Sequence, residues 1–384
     1  MKKILFILVS FIFLITNTSA EELVNYSESA ILIENSTGKV LYEKESTKEL
    51  PPASMTKIMS MIIIMDSIKD GKLKYTDNVV ISENASNMGG SQVYLNTNET
   101  YKVSELLKSV AIASANDAVV ALAEKTYGSV DEFVRKMNEK CKEIGCKNTS
   151  FKNPHGLDTE GHYSSSYDMS LMARYLITNH SDILKFTNTY EDYLKRPDGS
   201  QTWLVNTNRL VRFYDNIDGL KTGFTEGAGY CLTSTAYRGN MRLISVVMGV
   251  DSIDNRTTDT LKLLNYGFNS YKIDVIYKKN KKLGKIKVEK GKLKYVNLLL
   301  KEDATELLNI NDPKKSYMLN IETKKIYAPV KRGDKVGEVE IVDNEGHTVD
   351  IVDITVDTSV GKANLLDYFK RNLNELFVGK EYIS

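Results

Sequence analysis

The 384-residue sequence predicts an α+β fold: a helix-rich unit around an antiparallel sheet, then a small all-β domain and a C-terminal amphipathic helix. Three observations carry this. Apolar residues recur at helical spacing after Ser54, over 103–128, after Ser129 and after Ser165. The period then changes to alternation in "DGLKTGFTEGAGYCLTSTAYRGNMRLISVVMGV", where Gly-rich turns and the tip Arg238-Gly239-Asn240 separate three strands. From about residue 271 only short strands and turns follow, with turns expected at Lys290-Gly291 and Asn344-Glu345-Gly346.

Taken in order, Lys2 and Lys3 precede an apolar run over 4–15 that closes in Asn17-Thr18-Ser19-Ala20. This is the layout of a secretory signal peptide cleaved after Ala20, the run being shorter than the roughly 20 residues a bilayer span needs. "AILIENSTGKVLYEKES" reads as a hairpin turning at Asn35-Ser36-Thr37-Gly38, expected beside the three later strands. A helix begins in "PPASMTKIMS" and ends near Lys69-Asp70-Gly71. Ser114-Ala115-Asn116 interrupts the next helical pattern. Ser129 with Glu132, and Ser165 with Asp168, are capping pairs that open two further helices, and a last helix covers about 255–266. The expected domains are a signal peptide (1–20), the helix-rich α+β domain (21–270), a β-rich domain (271–358) and an amphipathic helix (360–384). In that tail Leu365, Leu366, Phe369, Leu373, Leu376 and Phe377 share one helical face, which suits a membrane interface. Lys278, Lys279, Lys281 and Lys282 read as a solvated strand edge protected by charge.

Charge and cysteine content exclude several classes. Cleavage after Ala20 would remove Lys2 and Lys3 from the 51 basic residues, leaving 49 against 50 acidic ones. That balance, with no recognisable nucleic-acid motif, argues against a nucleic-acid partner. Cys141, Cys146 and Cys231 are an odd number, expected as small, partly buried thiols rather than a disulfide framework. His155, His162, His180 and His347 are scattered, so neither a metal site nor a cofactor is expected.

The chemistry begins with Lys57, which heads an apolar run, Ile58-Met59-Ser60-Met61-Ile62-Ile63-Ile64-Met65. Desolvating an ammonium is costly, and that cost lowers its pKa. Ser54 stands three residues earlier, on the same helical face. A serine hydroxyl needs an adjacent base to act as a nucleophile, and a desolvated lysine can be that base. Ser114-Ala115-Asn116 would leave a hydroxyl and a carboxamide available to a cleft. Lys221-Thr222-Gly223 falls on an expected strand, where Gly223 would let a ligand backbone come close. Each element alone also fits a bland reading: a snorkelling lysine, a helix kink, a strand with a turn glycine. The three in this order, on helix, helix break and strand, are specific.

This S-x-x-K, S-x-N and K-T-G set resembles that of the penicillin-binding proteins and class A β-lactamases. More narrowly, "PPASMTKIM", "GGSQVYL", "ASANDAVVALAE", "FKNPHGLD", "HYSSSYDMSLMARYL", "DGLKTGFTEGAGYCL" and "LLNYGF" resemble the serine D-alanyl-D-alanine carboxypeptidases, the low-molecular-mass penicillin-binding proteins of peptidase S11 type. The resemblance implies a β-lactamase/transpeptidase-like catalytic domain whose C-terminal half holds it away from a membrane. It implies removal of the terminal D-alanine from peptidoglycan pentapeptide stems through an acyl-enzyme on Ser54, and inhibition by β-lactams. It implies that Lys57 takes the Ser54 proton, that Ser114 relays a proton to the leaving D-alanine, and that Asn116 orients Lys57 and the substrate amide. Lys221 with Thr222 and Thr225 would hold the substrate carboxylate, and the backbone N–H groups of Ser54 and Phe224 would form the oxyanion hole. It implies an exported protein at the outer face of the cytoplasmic membrane, facing the cell wall.

Phe224 stands where some members have His or Tyr, and "LNTNETYKV" lacks the glycine usual in that loop. His155 in "NPHGL" reads as a turn residue rather than a base. A β-lactamase needs a deacylating glutamate in E-x-x-L-N, and none of the five Leu-Asn pairs here has one. An endopeptidase would use the same residues on a cross-linked substrate. A non-catalytic wall-binding scaffold would be expected to have lost Ser54 or Lys57, and both are present.

Overall fold

The computed structural model describes residues 22–370. The segment expected as a signal peptide and most of the tail expected as an amphipathic helix lie outside the described residues. The chain divides into two compact units. Among the described residues, the first comprises 22–32, Tyr42–Ser234 and Ser245–Leu263; the second comprises Ile33–Leu41, Thr235–Ile244 and 264–370.

The expected helices and sheet form. The N-terminal hairpin is β1 (Ser29–Glu34) and β2 (Val40–Lys44). A 3₁₀ turn, Ala53–Thr56, leads into α1 (Lys57–Lys69), in which every residue from Lys57 to Met65 is buried. A helix apolar on all sides must sit inside the core, and each large apolar side chain buried there contributes about 1.5–3 kcal/mol. The short elements β3 (Asn78–Val80), α2 (Glu83–Ser86) and β4 (Thr100–Lys102) frame a loop over 87–99. In that loop Asn98 takes φ +68°, so an asparagine occupies the left-handed conformation where a glycine is usual.

The interrupted pattern is two helices, α3 (Val103–Ala113) and α4 (Asn116–Tyr127), broken at Ser114, whose φ of +62° is left-handed. Helix α5 (Val130–Ile144) is capped by Ser129 and ends at Gly145. Helix α6 (Ser166–Asn179) is capped by Ser165, whose hydroxyl accepts from Asp168 N at 3.1 Å. The Asp168 carboxylate does not close that capping box. It accepts from Asn148 N at 2.6 Å and Thr149 Oγ1 at 2.7 Å, tying down the loop after α5.

Cys141 and Cys146, expected as free thiols, are instead joined in a disulfide. Gly145 adopts φ +102° as the helix cap and folds the chain back, bringing the two Cα atoms to 5.2 Å. Cys231 stays free and buried, so the odd count reflects one pair and one core thiol.

After α7 (Leu184–Thr187), a two-stranded ribbon, β5 (Glu191–Lys195) and β6 (Gln201–Val205), precedes α8 (Leu210–Phe213). The three expected strands are β7 (Ile217–Thr225), β8 (Gly229–Arg238) and β9 (Met241–Val250), and α9 (Ile253–Ser270) follows. The sheet order is β2-β1-β9-β8-β7, so the N-terminal hairpin does join the later strands.

Beyond α9 every described element is a strand until residue 365. Strands β10 (Tyr271–Tyr277) and β13 (Ala304–Asn309) pair antiparallel. A six-stranded sheet runs β14 (Tyr317–Thr323), β16 (Lys335–Asp343), β17 (Thr348–Val356), β12 (Tyr295–Leu300), β11 (Lys282–Glu289), β15 (Ile326–Tyr327). Leu300, Val339, Ile341 and Ile354 are wholly buried in its core. Residues 365–370 are helical, capped reciprocally by Asn364 and Asp367 at 2.9 Å each way. Leu365, Leu366 and Phe369 are exposed there. No helix among the described residues is long and apolar enough to cross a membrane.

Candidate active site

The three motifs meet in the first unit. Ser54 lies in the 3₁₀ turn, preceded by Ala53 at φ +46°, a left-handed conformation that costs a non-glycine residue about 1–2 kcal/mol. Two glycines hold this turn. A Cβ at Gly156 would stand 1.8 Å from Ala53 O, and one at Gly223 would stand 2.8 Å from Pro52 O. The protein's own nucleophile turn therefore makes a close approach at Gly223 that the sequence did not announce. Only residues without a side chain let "NPHGL" and "KTG" press against the turn from separate segments.

Lys57 is completely buried. Its Nζ lies 2.9 Å from Ser54 Oγ, 2.7 Å from Asn116 Oδ1 and 2.8 Å from the carbonyl oxygen of His155. Asn116 is oriented independently, since its Nδ2 donates to Gly89 O at 2.6 Å and its backbone N–H to Ser91 O at 2.7 Å. A Cβ at Gly90 would strike Asn116 Nδ2 at 2.7 Å, which explains the glycine directly before Ser91. Burial holds the Lys57 pKa well below that of an ordinary lysine; the charge of Lys221 pushes the same way and that of Asp117 opposes it. A neutral amine has two N–H donors and one lone pair. Asn116 Oδ1 and His155 O can only accept, so they take both donors and leave the lone pair facing the Ser54 hydroxyl.

Ser114 Oγ is buried and has no hydrogen-bond partner among the described residues; the left-handed break between α3 and α4 brings the residue to the cleft wall. The cleft, about 690 Å³, is also lined by Ser54, Ser91, Thr222, Gly223 and Phe224. Phe224 is half exposed and packs on Tyr230, ring centroids 4.4 Å apart. Lys221 is fully buried, with its Nζ donating to Thr222 O at 3.1 Å. Burial and the charge of Arg256 bring its pKa down to about 7. Thr222 Oγ1 donates to Thr207 Oγ1 at 2.7 Å. The Thr225 hydroxyl donates to Asp158 Oδ1 at 2.8 Å and accepts from Ala228 N, tying the β7–β8 turn.

Sequence reasoning missed four contributors. The His155 carbonyl acts on Lys57 while its ring, with pKa lowered to about 3 by burial and Lys57, accepts from Leu157 N. Gly156 clamps the nucleophile turn. Asp117 accepts from Val93 N and Leu95 N at 3.1 Å and so fastens the 91–97 loop to the start of α4. Arg256 lines the cleft, is 8 % exposed, and its Nε has no hydrogen-bond partner among the described residues. The quoted motifs contain the first three, but spacing alone does not say that the "NPHGL" turn packs against Ala53 and Lys57. Arg256 carried no signal, being one arginine on a polar helix.

The fold and these residues define a penicillin-binding, transpeptidase-type catalytic unit built on a serine paired with a buried lysine. A family model for D-alanyl-D-alanine carboxypeptidase matches residues 16–252, and one for the penicillin-binding protein 5 C-terminal domain matches residues 271–362. The chain is 46% identical over 358 residues to the D-alanyl-D-alanine carboxypeptidase DacF of Bacillus subtilis, covering 92% of this chain and 91% of that one. It is similar to the structure of penicillin-binding protein 5 from Haemophilus influenzae (30% identity, TM-score 0.69, 88% of this chain and 98% of that one). It is also similar to penicillin-binding protein D2 from Listeria monocytogenes in its ampicillin-bound form (30% identity, TM-score 0.57, 63% of this chain and 97% of that one). The chain belongs to the peptidase S11 family of D-alanyl-D-alanine carboxypeptidases.

Proposed function

We propose that the chain removes the terminal D-alanine from peptidoglycan stem pentapeptides through an acyl-enzyme on Ser54. The observation that carries this is the fully buried Lys57, whose Nζ stands 2.9 Å from Ser54 Oγ while Asn116 Oδ1 and the His155 carbonyl lie at 2.7 and 2.8 Å; a neutral amine there gives its two N–H groups to those acceptors and its lone pair to the Ser54 hydroxyl. Lys57 takes the hydroxyl proton as Ser54 Oγ attacks the carbonyl carbon of the penultimate residue. The developing oxyanion is met by the backbone N–H groups of Ser54, in the first turn of a 3₁₀ helix, and of Phe224. As the C–N bond breaks, the proton held by Lys57 is handed on through the Ser114 hydroxyl to the departing D-alanine amine, which leaves Lys57 neutral again. Water then attacks the ester carbonyl, Lys57 takes a proton from it and returns that proton to Ser54 Oγ as the acyl–oxygen bond breaks, releasing the shortened peptide acid and regenerating Ser54.

The terminal carboxylate sets the register of the substrate. Lys221 and Thr222 receive it on the strand side, and the guanidinium of Arg256, buried without an ion-pair partner among those described, adds positive charge to the same cleft. A β-lactam presents a carboxylate and a strained amide in similar relation, and acylates Ser54 in place of the peptide. The ampicillin-bound relative supports that reading. The catalytic unit faces the cell wall, and the C-terminal segment from about Gly361 associates it with the membrane surface; exposed Leu365, Leu366 and Phe369 support the latter. The test is Ser54→Ala assayed on a muropeptide pentapeptide and with a labelled penicillin. Loss of both D-alanine release and labelling is expected; persistent labelling would assign the nucleophile elsewhere.

A further inference from the structure

A second surface adjoins the cleft. The ribbon β5–β6 pairs Glu191 with Val205, Tyr193 with Trp203 and Lys195 with Gln201. Side chains alternate along a strand, so these three rungs share one face while Leu194 and Leu204, both wholly buried, anchor the other. Tyr193 is 49% and Trp203 59% exposed, and Trp203 is the only tryptophan in the chain. Cross-strand aromatic pairs do stabilise ribbons, by up to about 1 kcal/mol. This ribbon is already fixed by its two leucines and by Arg196, which donates to Val93 O at 2.6 Å, Tyr94 O at 3.0 Å and Thr202 Oγ1 at 2.8 Å. Stability alone leaves the large exposed rings unexplained.

Their position is informative. Trp203 and Val205 lie on one face about 7 Å apart, and Val205 lines the cleft. The indole Nε1 donates to Glu191 Oε2 at 3.2 Å, a residue of the Val205 rung, which sets the indole toward the cleft end of the ribbon. One step further, Asn206 N donates to Tyr190 O at 2.7 Å. The guanidinium of Arg212 stacks 4.7 Å over the Tyr190 ring, and its neighbour Phe213 is 68% exposed at the cleft. Exposed aromatic rings therefore stand both at the cleft, in Phe213, and on the adjoining ribbon, in Trp203 two residues from the cleft-lining Val205.

We propose that the outer face of β5–β6 binds the glycan that carries the stem peptide, a β-1,4-linked strand of N-acetylhexosamines. This rests on the stem-peptide reading of the cleft. Pyranose rings present apolar C–H faces and a polar rim. Tyr193 and Trp203 match the faces, while Glu191, Lys195 and Gln201 on the same side match the hydroxyl and acetamido groups. Sugar and peptide are covalently joined, so holding one raises the effective concentration of the other at Ser54.

The lone indole makes the test direct. The full chain is titrated with peptide-free N-acetylglucosamine tetramer while its fluorescence is read, with maltotetraose as the control. A saturable change with the first sugar only is expected; no change, or the same change with both, overturns the proposal. Independently, kcat/KM for D-alanine release is compared on a disaccharide-pentapeptide and on the free pentapeptide. Trp203→Leu and Tyr193→Leu keep an apolar ribbon pair, and each is expected to raise KM about fivefold or more on the glycan-bearing substrate and less than twofold on the free peptide. Equal losses on both substrates reduce the pair to a structural role and overturn the proposal. If neither substrate is hydrolysed by the unaltered protein, the carboxypeptidase reading fails instead, and the titration still decides the sugar surface.

Discussion

Helix α1 and the segment over 364–370 break the ordinary rule of burial in opposite directions. The first places a lysine among wholly buried Ile and Met side chains; the second leaves two leucines and a phenylalanine in water. In α1 the departure is compensated locally, because Ser54, Asn116 and the His155 carbonyl receive the amine, and the desolvation that remains lowers its pKa. At the C-terminus no described residue covers the apolar face. The first departure is chemistry completed inside the fold. The second has its complement outside it, in the reading proposed here a membrane surface.

This contrast can be broken from the α1 side with the largest effects. Ser54→Ala is expected to abolish turnover, a loss of 10⁴-fold or more that single-turnover D-alanine release would measure. Lys57→Ala should act almost as severely; near-normal penicillin acylation at neutral pH would show that another group is the base. Gly156→Ala is a sharper test because it adds one methyl group and no charge. That methyl would collide with Ala53 O, so a loss of at least about 100-fold in kcat is expected with the protein still folded by circular dichroism.

Smaller effects should follow from pH. Lys221 titrates near 7, and its cationic form receives the substrate carboxylate, so KM for the peptide should rise as pH passes upward through about 7. The stability sign is opposite. Folded Lys221 has a pKa below its unfolded value of about 10.4, so the unfolded chain binds more protons between the two, and this group's contribution to stability should increase from about pH 7 to 10. Urea titrations of the native chain against Lys221→Met across that range would show it. From the other side of the comparison, deleting residues 361–384 should release the mature protein from anionic vesicles while leaving kcat on soluble peptide within twofold. Retention of the truncated form on vesicles would place the anchor elsewhere.

Much of this was legible in the sequence, for identifiable reasons. Helix caps such as Ser129 and Ser165 and the alternation of β7 to β9 are local, and they formed where local rules place them. The Ser54–Lys57 pair was legible because i, i+3 spacing fixes a contact within one turn. What sequence could not convey was approach between distant segments. Gly223 read as room for a ligand, and it also makes room for the Pro52–Ala53 turn; that Asp158 would hold the Thr225 hydroxyl was announced by no spacing. The Cys141–Cys146 bridge depended on the left-handed turn at Gly145, a backbone angle that an odd cysteine count conceals.

The central claim is that Lys57 is a neutral base because it is buried. The pH dependence of Ser54 acylation by a labelled penicillin tests it most directly, with Lys221→Arg measured alongside to separate the second lysine. The account expects the rate to rise with pH through an inflection well below 10.4 that persists in Lys221→Arg. An inflection near 10.4, the value of an exposed lysine, would contradict it.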